Sequence, residues 1–312
     1  MLSRVAESIY WMSRYIERAE NIVRVVSVNT NLQLDLPRGV VPGWKPLVDC
    51  IGANDLFEAC HESYGERQVL RYLLGNRDSP SSVRSCLHNA RECCRTVRDI
   101  LPRETWEHLT ELQLFIEEDL ESGLTRRGRH AFLERIIRSC QMTMGLLGSV
   151  MTRDLGYQFL RLGRNLERAD MTTRFINLRL SVDASVGQPE LASLESVQWV
   201  KVLESLSAYH MYRRKLKTQV ERQHALWFLF NDDEFPRSFR HCVNALEECV
   251  GPLSENRPCL LAIRKLVDEM DQVRVEALAP SDLDQLVDAL QRHLMSVHAT
   301  VARMYFLPSP TD

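Results

Sequence analysis

Two stretches of this sequence place arginine and glutamate side chains where they could bind or transform a charged substrate. The first lies between Tyr10 and Arg24, and the second follows 150 positions later. The corresponding charged residues are Arg14, Glu17, Arg18, Glu20 and Arg24 in the first stretch and Arg164, Glu167, Arg168, Asp170 and Arg174 in the second. Side chains three and four residues apart are neighbours on an α-helix, so each stretch predicts a helix with one charged face.

In a functional interpretation, these residues bind a substrate. Arginine donates paired hydrogen bonds to a carboxylate or a phosphate, while glutamate can bind an amine or transfer a proton. Glu17 and Glu167 are the candidate catalytic residues. The candidate substrate-binding residues are Arg14, Arg18, Arg164, Arg168, Tyr10, Glu20 and Asp170.

A structural interpretation of the same charges stays open. If this face were exposed, a pair such as Glu20 with Arg24 would contribute only about 0.3–0.5 kcal/mol. Removing one partner of a buried pair costs about 3–5 kcal/mol, because the other charge is left uncompensated. The recurrence of the pattern therefore favours a buried or half-buried ionic lattice that fixes how the two halves of the chain dock.

The elements that position these charges have a helical period. From Ser3 to about Leu34 apolar residues recur at intervals of three and four, which predicts one long amphipathic helix that ends before Pro37. Further segments of helical period follow, with a break near residues 52–55 and a helix start at Asp78-Ser79-Pro80. Nowhere do apolar and polar residues alternate convincingly, so the predicted fold class is all-α.

The second half of the chain repeats the motifs of the first in the same order. Pro80-x-Ser82-x-Arg84-x-Cys86, for example, corresponds to Pro236-x-Ser238-x-Arg240-x-Cys242. The sequence thus predicts a single domain, residues 1–312, made of two repeats of about 150 residues, 1–150 and 151–312. By the self-complementary logic of a twofold dimer, we expect one compact, bundle-like domain in which both charged helices approach a pseudo-twofold axis.

Composition narrows the function classes. The chain has 45% hydrophobic and 26% charged residues with a net charge of −3, which gives no general electrostatic reason to bind nucleic acid or an anionic membrane. Its nine cysteines are odd in number and include no Cys-x-x-Cys, as expected in a reducing compartment. No apolar run is long enough for a signal core or a spanning helix, so we expect a cytoplasmic protein.

Metal and cofactor motifs are weak. Glu58-x-x-His61 and Glu221-x-x-His224 have the spacing of di-iron ligands, but they do not occupy equivalent positions in the two repeats. Cys60 and His61 are adjacent on the chain and would point in different directions on a helix, so they do not form a nucleophile and its base. Phosphate-binding glycine loops are also missing. We therefore predict no metal and no cofactor.

The residues 2–21 and the Arg164-Asn-Leu-Glu-Arg-Ala-Asp170 segment resemble the alpha-E domain family of bacterial proteins, which is named for an all-helical domain with a Glu-Arg motif. The resemblance covers essentially the whole chain and implies that the motif falls on Glu17-Arg18 and Glu167-Arg168. Family members accompany, or are fused to, circularly permuted ATP-grasp ligases and transglutaminase-like proteins in systems inferred to make or modify peptides through amide bonds. This chain carries no fused ATP-grasp segment, so the resemblance implies a separate ligase partner and a peptide or amino-acid substrate.

Three functional hypotheses follow. The first is a helical partner or co-catalytic component of an ATP-dependent peptide- or amide-forming system. The second is an enzyme acting on a carboxylate- or amine-bearing substrate, with Glu17 and Glu167 as acid and base. The third is a scaffold whose charges are purely structural.

Overall fold

The computed structural model describes residues 3–35, 43–184 and 192–307, and these residues form an all-helical protein. Within them lie fourteen α-helices, one short 3-10 helix (Val275–Ala277) and no strand. The α-helices are α1 (Ser3–Asp35), α2 (Lys45–Cys50), α3 (Asn54–Glu58), α4 (Glu66–Gly75), α5 (Val83–Thr96), α6 (Arg103–Leu124), α7 (Arg126–Val150), α8 (Leu155–Ala184), α9 (Ala192–Ser205), α10 (Tyr209–Leu216), α11 (Arg222–Asn231), α12 (Phe239–Val250), α13 (Arg257–Asp271) and α14 (Pro280–Tyr305). The predicted all-α class is confirmed.

The chain divides into two compact units. The N-terminal unit comprises residues 11–153, and the C-terminal unit comprises residues 1–10 together with 154–312. The division falls inside α1, so the start of this helix belongs to the C-terminal unit. The predicted repeats, 1–150 and 151–312, and their pseudo-twofold axis stay a prediction.

In the N-terminal unit, α6 packs along α7 and against α5, and α4 packs on α2, α5 and α6. The only residue between α6 and α7 is Thr125, whose hydroxyl accepts a hydrogen bond from the Gly128 N–H at 3.1 Å and so caps α7. The apolar sides of these helices form a core that includes Leu73, Leu87, Ile116 and Ile136, all of which are buried.

In the C-terminal unit, the long helix α8 packs against α12 and α14, and α13 packs against the same two helices. Phe175 and Ile176 of α8 are buried in this unit, as are Leu246 of α12 and Leu290 of α14. Because the apolar residues of α8 repeat at helical spacing, the helix offers an apolar side to its neighbours.

The end of α1 and the break before α3 agree with the sequence predictions. The long first helix predicted from Ser3 to about Leu34 is confirmed as α1, which ends at Asp35, while Pro37 lies outside the described residues. The predicted break near residues 52–55 is also confirmed: Gly52 has φ 66°, a left-handed conformation that favours glycine, and α3 begins at Asn54.

The predicted start of α5 was wrong. The helix begins at Val83 and its cap is Ser82, whose hydroxyl accepts the Ser85 N–H at 3.1 Å. Asp78 and Ser79 instead form a turn, because the Asn76 side-chain oxygen accepts both of their N–H groups at 2.7 and 2.9 Å. Because Asn76 already accepts these N–H groups, which would be unpaired at a helix start, the helix begins later in the sequence.

None of the described helices is both long and apolar enough to span a membrane.

Candidate functional site

The charged face of α1 is largely withdrawn from solvent. Glu17 is fully buried with 0% exposure, Glu20 and Arg14 are also buried, and Arg18 is half-buried. Sequence reasoning favoured a buried or half-buried cluster, and the burial of these residues agrees with it. Because a buried carboxylate is costly unless it is compensated, this face is not an ordinary solvated helix surface.

One ion pair of α1 is well defined. The Arg24 Nε and Nη2 atoms lie 2.9 and 2.8 Å from Glu20 Oε1, the i to i+4 pair that the spacing predicted. Gln141 of α7 adds a longer hydrogen bond, with its Nε2 atom 3.4 Å from the same oxygen. Glu20 is therefore fixed from its own helix and from α7.

Aromatic rings hold the start of this charged face. The Arg14 guanidinium carbon lies 4.8 Å from the centre of the Trp11 ring, a cation–π contact, and Trp11 stacks on Tyr15 at 5.4 Å. Burial raises the pKa of the Tyr15 hydroxyl above its ordinary value. Arg14 is thus positioned by packing as well as by charge.

A buried thiol faces the carboxylates of α1. Cys140 of α7 has a pKa well above its ordinary value, because burial and then the negative charges of Glu20 and Glu17 disfavour the thiolate. A neutral, buried thiol is a poor nucleophile, so Cys140 contributes packing rather than covalent chemistry.

The second charged face, on α8, has the same character. Glu167 is fully buried with 0% exposure, whereas Arg164, Arg168 and Asp170 are half-buried. Arg174 Nε lies 2.8 Å from Asp170 Oδ2, which repeats the acid–base pair of α1 at an offset of 150 residues. Within each set the arginines reach solvent more readily than the central glutamate.

The next turn of α8 is tied to the helix that closes its unit. Gln291 of α14 donates from Nε2 to the Thr173 hydroxyl at 3.2 Å, and this hydroxyl donates to the Asp170 carbonyl at 2.7 Å. In both units, therefore, a glutamine from the last helix stands beside the acid–base pair of the charged helix.

Tyr10 contacts His298 and Phe306. It is buried in the C-terminal unit, with its hydroxyl 2.9 Å from His298 Nδ1 and its ring 5.1 Å from that of Phe306. Tyr10 thus belongs to an aromatic core, and its role in substrate binding stays a prediction, as do the catalytic roles of Glu17 and Glu167.

The residues of the first Glu-x-x-His motif make local contacts. Glu58 accepts the Tyr64 hydroxyl at 2.6 Å, while His61 packs its ring 4.7 Å from that of Phe57. Across the described residues, no group of three or more His, Cys, Asp or Glu side chains is arranged to hold a metal ion.

Sequence reasoning missed a polar pocket of about 430 Å³ in the N-terminal unit. Its walls come from the connection before α4, from α4, from the connection between α4 and α5, and from α5 and α6. The signal in the sequence was faint: Arg71, Arg77 and Arg84 follow one another at six- and seven-residue intervals, and Glu117 and Glu121 are one helical turn apart. Only the packing of α4 on α5 and α6 brings the two sets together.

Comparison with known proteins identifies one matching family model. Alpha-E, described as a predicted alpha-helical domain with a conserved ER motif, matches residues 1–306. The chain is also 23% identical, over 96% of its length, to an uncharacterized protein of Mycobacterium bovis and to uncharacterized proteins of two Mycobacterium tuberculosis strains. It spans only 35% of the length of each of these relatives. No solved structure matches the chain.

Proposed function

The chain belongs to the Alpha-E family, and from this premise we propose that it is a helical partner or co-catalytic component of an ATP-dependent system that forms peptide or amide bonds. Its partner is a circularly permuted ATP-grasp ligase, and a transglutaminase-like protein is a second candidate partner. The charged faces of α1 and α8 bind a peptide, an amino acid or the ligase. The reaction belongs in the cytoplasm, where ATP is available and the nine cysteines stay reduced.

The observation that carries this proposal is the burial of Glu17 and Glu167 at the centre of two matching charged faces. A buried carboxylate costs several kcal/mol of desolvation, and an apolar residue of similar size is often at least as stabilising. Stability alone therefore gives little reason to keep the same charges twice. A binding role gives one, because the glutamates can orient the arginines beside them.

The half-buried arginines are the groups that a ligand would meet first. Arg18 and Arg168 adjoin the buried glutamates along the chain and remain partly accessible. The planar guanidinium matches a carboxylate through two parallel hydrogen bonds, and it stays charged at any physiological pH. The carboxylate end of a peptide or an acidic side chain of the ligase would satisfy such donors.

The size of the relatives adds support. In the mycobacterial proteins, the region similar to this chain is about a third of a longer polypeptide. There it is joined to other sequence, which fits a domain that works together with further protein segments.

Full burial of Glu17 and Glu167 also favours a second candidate function, an enzyme in its own right. Exclusion of water strengthens electrostatic interactions and is typical of general acids and bases. In this alternative, the two glutamates transfer protons and the arginines clamp the substrate carboxylate.

The test compares the modification of candidate peptides, followed by mass spectrometry, in mixtures of ATP and the ligase with and without this protein. The variant is Glu17→Gln combined with Glu167→Gln, and its melting temperature is measured in parallel. The matched control is Glu134→Gln on α7, because Glu134 also precedes an arginine but has a side chain that is 43% exposed. We expect a modification that requires the wild-type protein, persists with the control and is lost with the folded double variant.

Other outcomes separate the alternatives. A ligase that works equally well without this protein overturns the co-catalytic role for that reaction. Modification without any ligase supports the enzyme. A double variant that unfolds, while a ligase-independent assay shows no binding by the wild-type protein, leaves the scaffold as the function.

We also infer that the two repeats, residues 1–150 and 151–312, arose by duplication and are related by a pseudo-twofold axis. Among the described residues, α1 to α7 and α8 to α14 follow the same order of long and short helices, with a serine cap on both α5 and α12. The repeated acid–base pair on α1 and α8 supports the same inference.

A further inference from the structure

The polar pocket of the N-terminal unit has the size of a small-molecule site. Its volume of about 430 Å³ falls within the range of about 300–1,000 Å³ that is common for such sites. The residues that matter for its chemistry are Arg71, Tyr72, Arg77, Arg84, Glu117 and Glu121. Unlike most drug-binding pockets, it is rich in charged side chains, so its ligand should be polar.

One ion pair in the wall is fixed and structural. Arg84 Nε lies 2.6 Å from Glu117 Oε1, and a second guanidinium nitrogen of Arg84 contacts the other oxygen of the same carboxylate. Burial and the neighbouring positive charge of Arg77 lower the pKa of Arg84. Because this ion pair is bidentate, the Arg84 and Glu117 side chains bind each other rather than a ligand.

Two other charges in the wall remain available to a ligand. Arg77 is 73% exposed and makes one long contact, 3.3 Å from its Nη2 atom to Glu117 Oε2. Glu121 is 66% exposed and is held only through Arg71 Nη2, at 2.8 Å. Arg77 and Glu121 are thus an accessible cation and an accessible anion of the wall, beside exposed Asp78 and exposed Arg71, the latter paired with Glu121.

Tyr72 supplies an unused hydrogen-bond donor. Its side chain is almost completely buried, with 1% exposure, and its hydroxyl has no hydrogen-bond partner among the described residues. The ring is held in place by the edge of Phe57 at 5.1 Å. Leaving a buried hydroxyl unpaired costs about 1–3 kcal/mol, so a ligand oxygen that displaces the atoms covering this hydroxyl would gain a strong partner.

The balance of charges indicates which class of ligand fits. Three arginines of the lining, Arg71, Arg77 and Arg84, face three acids, Asp78, Glu117 and Glu121. A phosphate would bind better to a wall with a net positive charge, and a simple amine would bind better to a wall with a net negative charge. A small zwitterion matches a neutral wall that has separate positive and negative ends.

We infer that this pocket binds an α-amino acid. Its carboxylate accepts hydrogen bonds from Arg77 and from the Tyr72 hydroxyl, and its ammonium group pairs with Glu121. This site is separate from the charged faces of α1 and α8, and it stands whether or not the chain acts with a ligase.

The corresponding place in the C-terminal unit supports this assignment. Asp232 makes the same two backbone contacts there as Asn76 makes here. Phe228 is therefore the counterpart of Tyr72, and Asp233 is the counterpart of Arg77. The structural ion pair is retained, since Arg240 Nη2 lies 2.6 Å from Asp271 Oδ1. The fold therefore needs the ion pair, but it needs neither the tyrosine hydroxyl nor the accessible arginine.

The experiment is calorimetric titration of the full chain with each proteinogenic L-amino acid at millimolar concentration. The amino acid that binds is then compared with its N-acetyl and its carboxamide derivatives. We expect each blocked derivative to bind at least about tenfold more weakly, because each loses one charge-assisted contact.

Three variants test the named contacts. Tyr72→Phe should weaken binding by about tenfold, and Arg77→Gln and Glu121→Gln by about ten- to a hundredfold. Tyr72→Phe should not unfold the protein, because only an unpaired hydroxyl is removed. The control is Arg103→Gln, an arginine that begins α6, is 89% exposed and pairs with Glu107 outside the pocket, and it should bind like the wild type.

Cys60 gives an independent readout, since it is exposed and lines the pocket, whereas the other cysteines are buried or, in the case of Cys93, half-buried. Bound amino acid should slow alkylation of Cys60 and leave that of Cys93 unchanged. The inference is overturned if no amino acid binds, if the N-acetyl derivative binds as tightly as the free amino acid, or if the three variants bind like the wild type.

Discussion

The connection from α4 to α5 and the connection from α11 to α12 share one backbone plan but differ in their surroundings. In each, a side-chain oxygen at the end of the first helix, from Asn76 or Asp232, accepts the N–H groups two and three residues later. In each, a serine caps the next helix and donates its hydroxyl to the carbonyl of that same residue, Ser82 to Asn76 and Ser238 to Asp232. Five of the seven residues differ between the two connections, and yet both adopt the same turn.

The difference lies in the side chains around this turn. Phe228 stacks on Phe235 at 4.9 Å and meets the edge of Tyr212 at 5.7 Å, which makes a closed aromatic cluster. Its counterpart Tyr72 borders a polar pocket with an unpaired hydroxyl. The turn is therefore a structural feature that both units share, while the pocket beside it is an additional feature of the N-terminal unit.

Exchanging the two aromatic residues should give the largest effect. Phe228→Tyr adds a hydroxyl to a packed cluster, and we expect it to lower the free energy of unfolding by about 2–4 kcal/mol through overpacking and an unpaired donor. Tyr72→Phe should change it by less than about 0.5 kcal/mol or raise it slightly, since no hydrogen bond is lost. Urea denaturation of both variants measures the difference, and a neutral Phe228→Tyr would show that the C-terminal unit has a comparable space.

The first residues of α4 and α11 also differ. Each attaches its helix to the rest of its unit, but one is an acid and the other is a base. Glu66 is held by Arg129 Nη2 at 2.8 Å and Arg126 Nη2 at 3.2 Å, both from the start of α7. In the C-terminal unit, Arg222 donates instead to the carbonyl of Leu278, just before α14, at 2.7 Å. Although burial alone would raise the pKa of Glu66, the hydrogen bonds from Arg129 and Arg126 lower it.

Glu66→Gln should therefore lower the free energy of unfolding at neutral pH by about 2 kcal/mol. This is less than the cost of breaking a fully buried ion pair, because Glu66 is partly exposed. A lowered pKa in the folded state means that this stabilisation is present above the pKa of the unfolded chain and is lost as the pH falls through the folded value. The gap between wild type and Glu66→Gln, measured by urea denaturation, should thus close as the pH falls below about 4. The exposed pair of Glu134 and Arg138 is the control, and a gap that persists in acid would rule out the charge as its cause.

The sequence predicted the helices well because their signal is local. Apolar spacing, together with Pro37 as a stop, placed the end of α1 within about one residue, and the i to i+4 rule predicted the pair of Glu20 and Arg24. The start of α5 was misplaced because a single side chain, Asn76, competes for the backbone donors, and its effect depends on a turn that propensity does not encode.

The pocket could not be predicted for a different reason. Its lining runs from Cys60 to Glu121 and becomes a surface only when α4, α5 and α6 pack together. The charged faces of α1 and α8 were recognised because a recurring pattern stands out, whereas the burial of Glu17 and Glu167 could be inferred only from the weakness of exposed ion pairs.

The smallest expected effect concerns the turn that the two connections share. Ser82→Ala and Ser238→Ala each remove a helix cap, which should lower the free energy of unfolding by about 1–2 kcal/mol. The loss should be smaller for Ser82→Ala, because the Ser85 hydroxyl also donates to the Asn76 carbonyl, at 3.1 Å, while the equivalent His241 bonds to Asp233 instead. Urea denaturation decides this, with the exposed Ser149→Ala of α7 as a control. Equal losses would mean that the second serine in the N-terminal unit does not reinforce the turn, and that both connections depend on their caps alone.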